Sequence, residues 1–246
     1  MSGRETVASG QLPVASKSKR RRVEAWHFAR ADMRLGYGDG REIVVGKTLS
    51  VADQPKCCCW GLHGCIRALD ALQYAQGPML CRVMLSGNMD QQDDKIAAEH
   101  RKTLSAFDAT ALLLAFARWC ALQVIHDWPA PQVAIDFLRT GDKSLRAAAR
   151  EAARAARAAA RQAAWAAAAG AAAAGGSAAW AAAAAWAAAA WAATAAPGAA
   201  VRAAWGAAGE AGEAAGNRQA AQLLIMIGEA YAGQSEWIWE LPEVRA

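Results

Sequence analysis

Short runs of alternating hydrophobic and polar residues in the first third of the chain predict strands joined by turns. Glu24–Arg30 (EAWHFAR) predicts a first strand, Leu35–Gly40 (LGYGDG) a turn, and Arg41–Val51 (REIVVGKTLSV) a small hairpin around its Gly-Lys pair. Met79–Ser86 (MLCRVMLS) alternates poorly, which is typical of a strand buried on both faces. Together these segments predict a small β-rich domain.

Apolar residues spaced three and four apart predict helices in the next part of the chain. Ile66–Ala75 (IRALDALQYA) has this spacing, and Gly77-Pro78 ends it. Beyond Gly87 everything is predicted to be helical. Ser105 and Asp108 resemble a capping box, in which each side chain satisfies an unpaired backbone N–H at a helix start.

The capping box predicts a helix from Ala106 to about Asp127 that is amphipathic toward the core. A shorter helix from Pro131 to Leu138 is predicted to end at Gly141, because glycine readily adopts the left-handed conformation of a helix terminus. Asp142 or Ser144 would then cap the next helix.

Between Ala147 and Ala215 most residues are alanine, the best helix former. Trp180 and Trp191 are 11 residues apart and share a face, so tryptophans are predicted to fill gaps between antiparallel helices that pack through alanine. Five arginines with spacings of 4, 4, 3 and 4 also follow a repeat of 11, which fixes them on one side of a straight helix. This set, the arginine edge, is Arg146, Arg150, Arg154, Arg157 and Arg161.

The fold class expected from these patterns is α+β, with a small N-terminal β-rich domain followed by a mostly helical, alanine-rich antiparallel region. The predicted parts are a disordered basic tail (1–22), a small α+β domain (23–90), a helical connector (91–141), an alanine-rich helical scaffold (142–232) and a C-terminal tail (233–246).

Charge is concentrated at the N-terminus. The net charge is +5, and five of the 27 cationic residues lie close together, namely Lys17, Lys19, Arg20, Arg21 and Arg22. This cluster either contacts nucleic acid or is simply a solvated charge run. The start of the chain has no apolar segment typical of a signal peptide, so a host-cell cytoplasmic location with reduced thiols is expected. The uncharged alanine run lacks the Leu, Ile, Phe and Val that favour a bilayer, so no membrane span is expected.

The arginine edge allows two interpretations. It is either a solvated face that keeps an apolar helix soluble, or a binding edge whose guanidinium groups match phosphates or an acidic protein.

The densest group of candidate metal ligands is the segment from Cys57 to Cys65 (CCCWGLHGC). Cys59, His63 and Cys65, with Cys81 as a fourth ligand, would make a zinc site, although the spacing matches no familiar zinc module. The alternative is small buried thiols. His27 and His63 have no nucleophile or carboxylate at a spacing that indicates a catalytic dyad. The chain shows no phosphate-binding, dinucleotide-binding or metalloprotease motif, so no cofactor is expected.

Two resemblances bear on function. Residues 23–232 resemble an uncharacterised domain of tailed-phage and prophage proteins. The resemblance rests on Gly61–Cys65 (GLHGC), preceded by a cysteine and a Trp-Gly, and on the following Ala68–Leu72 and a strand. Further on it includes Phe116–Trp128 and Phe137–Ala149. That resemblance implies family membership but no activity. Less closely, the segment from Gly61 to Met89 resembles the central part of ADP-ribosyltransferase-like folds.

The second resemblance implies NAD-consuming chemistry with His27 on an early strand and a glutamate on a late strand, and no late strand is predicted. The leading hypothesis is therefore a non-enzymatic phage or prophage accessory protein that binds a host or phage protein, for example to block a defence system. An ADP-ribosyltransferase-like enzyme domain and a nucleic-acid-binding protein are the alternatives. Self-association through the alanine-rich helices is also expected.

Overall fold

The computed structural model describes residues 21–123, 125, 130–152, 154–155 and 213–234. These residues form an antiparallel sheet with helices packed against it, which confirms the predicted α+β class. Most of the alanine-rich region, including Trp180 and Trp191, lies outside the described residues, as do residues 1–20 and 235–246.

Five strands of the described region make up the sheet: β1 (Arg22–Ala29), β2 (Thr48–Ser50), β3 (Leu62–Gly64), β4 (Met79–Gln91) and β5 (Ile96–Asp108). Their order is β1-β4-β5-β2, and β3 pairs with β5 beside β2. Trp26 and Cys65 exchange two backbone hydrogen bonds of 2.7 and 2.9 Å, which connect the end of β3 back to β1. Backbone pairing therefore runs in a ring through β1, β4, β5 and β3, and the sheet is curled.

The long β4–β5 hairpin replaces the helix that the sequence predicts after Gly87. β4 and β5 are both 13 residues long and pair over almost their whole length, from Met79↔Asp108 to Gln91↔Ile96. The predicted helical connector over 91–141 is therefore wrong in its first part. Ala, Glu, Arg and Lys give β5 good intrinsic helix propensity, but cross-strand pairing and burial override a preference of only tenths of a kcal/mol per residue.

A bulge lets β4 continue past the point where the sequence indicates a stop. The register shifts between Ser86 and Met89, and Gly87 has φ +82°, a conformation that glycine adopts without steric cost. A Cβ at Gly87 would lie 2.7 Å from Glu99 Oε2, so the close approach of β5 also favours glycine. The glycine bends the strand and does not end it.

The predicted hairpin within Arg41–Val51 is not formed. β2 is the only strand in that segment of the described chain, and it pairs with His100–Lys102 of β5 rather than with the residues before Gly46. The first predicted strand is confirmed as β1.

Four labelled helices follow or flank the strands: α1 (Ala68–Gln73), α2 (Thr110–Gln123), α3 (Gln132–Thr140) and α4 (Glu213–Tyr231). The predicted capping box is wrong, because Ser105 lies in β5, where its hydroxyl contacts the Tyr231 hydroxyl at 2.7 Å. Asp108 alone caps α2, since its Oδ1 accepts the Thr110 N–H at 2.8 Å. The predicted stop at Gly141 is confirmed, with φ +70°.

Two apolar clusters lie on opposite sides of the sheet. The helix-side core joins Trp26, Phe28 and Leu80 of the sheet to α1, α2 and α4. The inner core lies within the curl and is lined mostly by small or branched side chains, namely Ala25, Ala29, Ile43, Cys81, Val83, Leu85, Ile96 and Ala98. Adjacent β4 residues Leu80 and Cys81 point into different cores, which explains why that strand alternates poorly. In the part of the chain that the structure describes, no helix is both long and apolar enough to cross a membrane.

We predict that α4 is an integral part of the fold although 89 residues lie between it and α2 in sequence. Leu223 is fully buried in the helix-side core, so Leu223→Ala should lower the free energy of unfolding by about 2–5 kcal/mol, measured by urea denaturation. The neighbouring Leu224 is 47% exposed, and Leu224→Ala should change stability by no more than about 0.5 kcal/mol. Equal effects of the two substitutions would contradict this packing.

Candidate functional site

The arginine edge begins on a helical segment at 146–152 and continues at 154–155. Of the two caps that the sequence leaves open, Asp142 or Ser144, Asp142 caps this segment, because its Oδ1 accepts the Ser144 N–H at 2.8 Å. A surface depression of about 440 Å³ runs along the segment. Its lining is Lys143, Arg146, Ala147, Arg150, Glu151 and Arg154.

Two arginines of the described part of the edge, Arg150 and Arg154, face solvent. Arg146 is half-buried on the same side of the helix as the buried Ala149, and its Nε is buried without a hydrogen-bond partner among the described residues. Glu151 contributes the one carboxylate of the depression, 3.5 Å from Arg154, and both side chains are more than half exposed. Such an exposed pair contributes little stability, so most of the positive charge stays accessible. Arg157 and Arg161 lie outside the described residues.

The basic tail is shorter than the sequence predicts. Arg22 is the first residue of β1 and pairs with Ser86, and Arg21 donates a 2.9 Å hydrogen bond to Gln91 Oε1. These two arginines are part of the sheet domain because β4 is long enough to pair with them. Lys17, Lys19 and Arg20 lie outside the described residues.

The four proposed zinc ligands are not brought together. Cys59 is exposed on a loop, Cys65 belongs to the helix-side core, and Cys81 belongs to the inner core on the other side of the sheet. Within the described residues no group of three or more His, Cys, Asp or Glu side chains could hold a metal ion. Burial raises the pKa of Cys65 to about 12 and that of Cys81 to about 11, so both are protonated thiols at neutral pH.

A polar cluster that the sequence analysis missed lies at the turn between β4 and β5. Lys95 Nζ donates a 3.0 Å hydrogen bond to the Tyr74 hydroxyl and lies 4.6 Å from the centre of its ring, and Tyr74 also contacts the Asp94 carboxylate. A hydrogen bond to Cys58, followed by the one to Tyr74, raises the pKa of Lys95. The cluster connects α1, the cysteine loop and the hairpin turn.

His27 and the backbone carbonyl of His63 lie near a third residue, Arg101, inside the curled sheet. His27 pairs with Cys81 of β4, and Arg101 pairs with Leu85 of the same strand. Cys81 and Leu85 are four residues apart, so their side chains point to the same face of the sheet. Directly opposed residues share a face of the sheet, so His27 and Arg101 both face the inner core. Arg101 Nη1 donates a 2.8 Å hydrogen bond to the carbonyl of His63 on β3.

This cluster carries a deeply buried charge. Arg101 is 2% exposed, and burial lowers its pKa to about 10, which still leaves the guanidinium protonated at neutral pH. Its Nε and Nη2 have no hydrogen-bond partner among the described residues, and neither has the buried His63 Nε2. Burying an unpaired ion costs several kcal/mol, so the arrangement needs a reason other than stability.

Both histidines are neutral in this environment. His27 keeps part of its surface exposed, yet its pKa lies well below 6.5. The largest cause is burial, followed by the positive charge of Arg101 and by His63. Burial followed by Arg101 also lowers the pKa of His63. The sequence points to the two histidines but not to Arg101. This arginine is followed by the mostly polar residues 102–105 (KTLS), and a charged residue in such surroundings is typical of a solvated surface.

The late strand that the sequence did not predict exists as β5, and it carries Glu99. Its carboxylate accepts the Asn88 N–H at 3.0 Å and lies 3.3 Å from His100 Nε2. These contacts hold the Glu99 carboxylate at the β4 bulge. Among the described residues no contact joins Glu99 to His27, the histidine that the ADP-ribosyltransferase resemblance would pair with a late-strand glutamate.

A family model described as a domain of unknown function (DUF7666) matches residues 23–115, from β1 into α2. The chain is thus similar to that family over the sheet and its first helices. No curated protein and no solved structure matches it.

We predict that the buried histidines make the protein acid-sensitive. The folded-state pKa of His27 is below 6.5, so under about pH 6.5 the unfolded chain binds a proton that the native state resists. Stability is fully present above that pH and is lost as pH falls toward the folded pKa. The melting temperature should therefore fall on acidification by about 2–4 °C per kcal/mol of lost stability.

The variant His27→Gln should show a shallower loss of melting temperature between pH 7.5 and 5, because it removes a group that takes up a proton only on unfolding. Carboxylates contribute a common background in both proteins, so the difference between the two curves is the measured quantity. Parallel curves would contradict the assignment.

Proposed function

We propose that the protein is a binding protein rather than an enzyme, and that it docks an acidic face of a protein partner on the arginine edge. The observation that carries the proposal is the depression in which Lys143, Arg146, Arg150 and Arg154 face one side of a helix with a single carboxylate among them. This is the role expected of a phage or prophage accessory protein that acts on a host or phage protein.

The charge pattern of the edge supports a protein partner. Consecutive arginines four residues apart rise about 6 Å along the helix axis, which is also the spacing of acidic side chains at i and i+4 on a partner helix. Guanidinium groups bind such carboxylates with paired hydrogen bonds. Arg150 and Arg154 are already exposed, so they need no rearrangement before they bind.

Glu151 distinguishes the two classes of anionic partner. Its carboxylate lies within the depression, where it would repel a continuous phosphate backbone. A protein partner can place a cation opposite Glu151 and carboxylates opposite the arginines. Nucleic-acid binding, the alternative, predicts affinity that falls steeply with salt as condensed counterions are released.

The test uses site-specific crosslinking on the full chain. A photo-crosslinking residue at position 147, which lines the depression, should capture a discrete protein from a lysate of the cells that naturally make this protein. The same residue at position 148, which is exposed but not part of the depression, is the matched control and should capture little. Capture of nucleic acid that is lost on nuclease treatment would favour the alternative.

We predict that the triple variant Arg146→Gln, Arg150→Gln, Arg154→Gln weakens binding of the captured partner at least about tenfold, equivalent to about 1.4 kcal/mol, by calorimetric titration. The control variant Lys47→Gln, Lys56→Gln, Lys102→Gln removes the same charge from exposed positions of the sheet domain and should bind almost normally. Equal losses in the two variants would show a net-charge effect and overturn the assignment to the arginine edge.

A further inference from the structure

We propose that Arg101, held in place by the backbone carbonyl of His63, binds a small oxyanion, a phosphate or a carboxylate group, inside the curled sheet. This site is separate from the arginine edge and is formed by strands β3 and β5. Its ligand class follows from which donor atoms of the arginine are left free, how deeply they are buried and what surrounds them.

The free atoms of Arg101 are the pair that suits an oxyanion. Nη1 is held by the His63 carbonyl at 2.8 Å, which fixes the plane and direction of the guanidinium. Nε and Nη2, both buried and without a hydrogen-bond partner among the described residues, form the side edge of the group. The two N–H bonds of that edge are nearly parallel and match two oxygens of one phosphate or carboxylate.

No acidic side chain of the described region neutralises this guanidinium by direct contact. Asp39 lies near enough to influence the pKa of Arg101, but its two carboxylate oxygens are each engaged by Arg41 at 2.7 Å. Arg41 itself adds a second positive charge to the surroundings of Arg101. The field inside the curl therefore favours an anion.

The backbone of His63, rather than its imidazole, contributes to this site, because its carbonyl holds the guanidinium in place. His27 pairs with Cys81 and therefore faces the same core as Arg101, and it keeps part of its surface exposed.

A purely structural role does not account for the choice of arginine. The inner core is otherwise lined by alanine, valine, leucine, isoleucine and cysteine, so a long apolar residue such as methionine could fill the space of Arg101 without burying a charge. Replacement even of a paired buried ion by apolar groups of similar volume is often neutral or stabilising. A ligand that binds the charge gives the arginine a function.

The experiment measures anion binding by the full chain at constant ionic strength, with chloride as the balancing anion. Inorganic phosphate and acetate are the two probes, and they separate phosphate from carboxylate recognition. The melting temperature of the wild-type protein should rise steadily with the logarithm of the concentration of at least one probe, as expected for a ligand that binds only the native state. The Nε–H resonance of Arg101 should shift in the same titration.

Arg101→Met should abolish the probe-specific rise while the protein stays folded, and Arg101→Lys, which keeps the charge but loses the paired donors, should weaken binding about tenfold or more. The matched control is Arg118→Met. Arg118 is a second buried arginine, 7% exposed on α2, whose Nη1 donates to the Leu138 carbonyl at 3.3 Å, and its variant should keep the wild-type response.

Two results would overturn the proposal: no rise with either probe beyond that in chloride, or an equal rise in the wild-type protein and in Arg101→Met. If Arg101→Met does not fold, the resonance titration of the wild-type protein, with Arg101→Lys to identify the signal, decides the question. Neither readout depends on the arginine edge, so failure here leaves the proposed protein-binding function intact.

Discussion

The antiparallel pairing of β4 with β5 is the interaction on which the rest of the structure depends. β1 pairs with one side of this hairpin, and β2 and β3 pair with the other. The helix-side core forms on one surface of the hairpin and the inner core on the other. Without the hairpin, β1, β2 and β3 would lose their pairing partners, and both cores and the surface on which α1, α2 and α4 pack would be lost.

Pairing of this kind also explains how a charge comes to be buried. Arg101 lies in the middle of β5, where strands on both sides use its backbone groups and the curl of the sheet encloses its side chain. Its side chain lies on the enclosed face of the sheet, whereas that of the neighbouring Lys102 points the other way and is exposed. The closing hydrogen bonds between Trp26 and Cys65 complete the enclosure. Curvature of the sheet, rather than any local feature of the sequence, creates the environment that lowers the pKa values of His27, His63 and Arg101.

The two cationic features differ in physical character and suit different ligands. Arg150 and Arg154 of the arginine edge are exposed and screened by salt, so they suit a large partner with many weak contacts. Arg101 is enclosed, fixed by the His63 carbonyl and poorly screened, so it suits one small group with two well-directed oxygens. Arg101 lies within residues 23–115, which are similar to an uncharacterised family, whereas the edge lies C-terminal to the matched residues.

The sequence by itself determined the features that depend on local chemistry. Strand β1, helix α1, the glycine end of α3 and the Asp142 cap follow from residue type and spacing, because turns, caps and helix ends depend on a few neighbouring residues. The spacing of Arg146, Arg150 and Arg154 likewise places them along one side of the helical segment that the structure describes. Only the tertiary structure decided that Ile96–Asp108 is a strand, since its helix-forming residues gain more from pairing with β4 than from a helix. Only the tertiary structure separated Cys65 from Cys81 and placed Arg101 beside His63, because the face of a sheet to which a residue points depends on register, bulges and curvature.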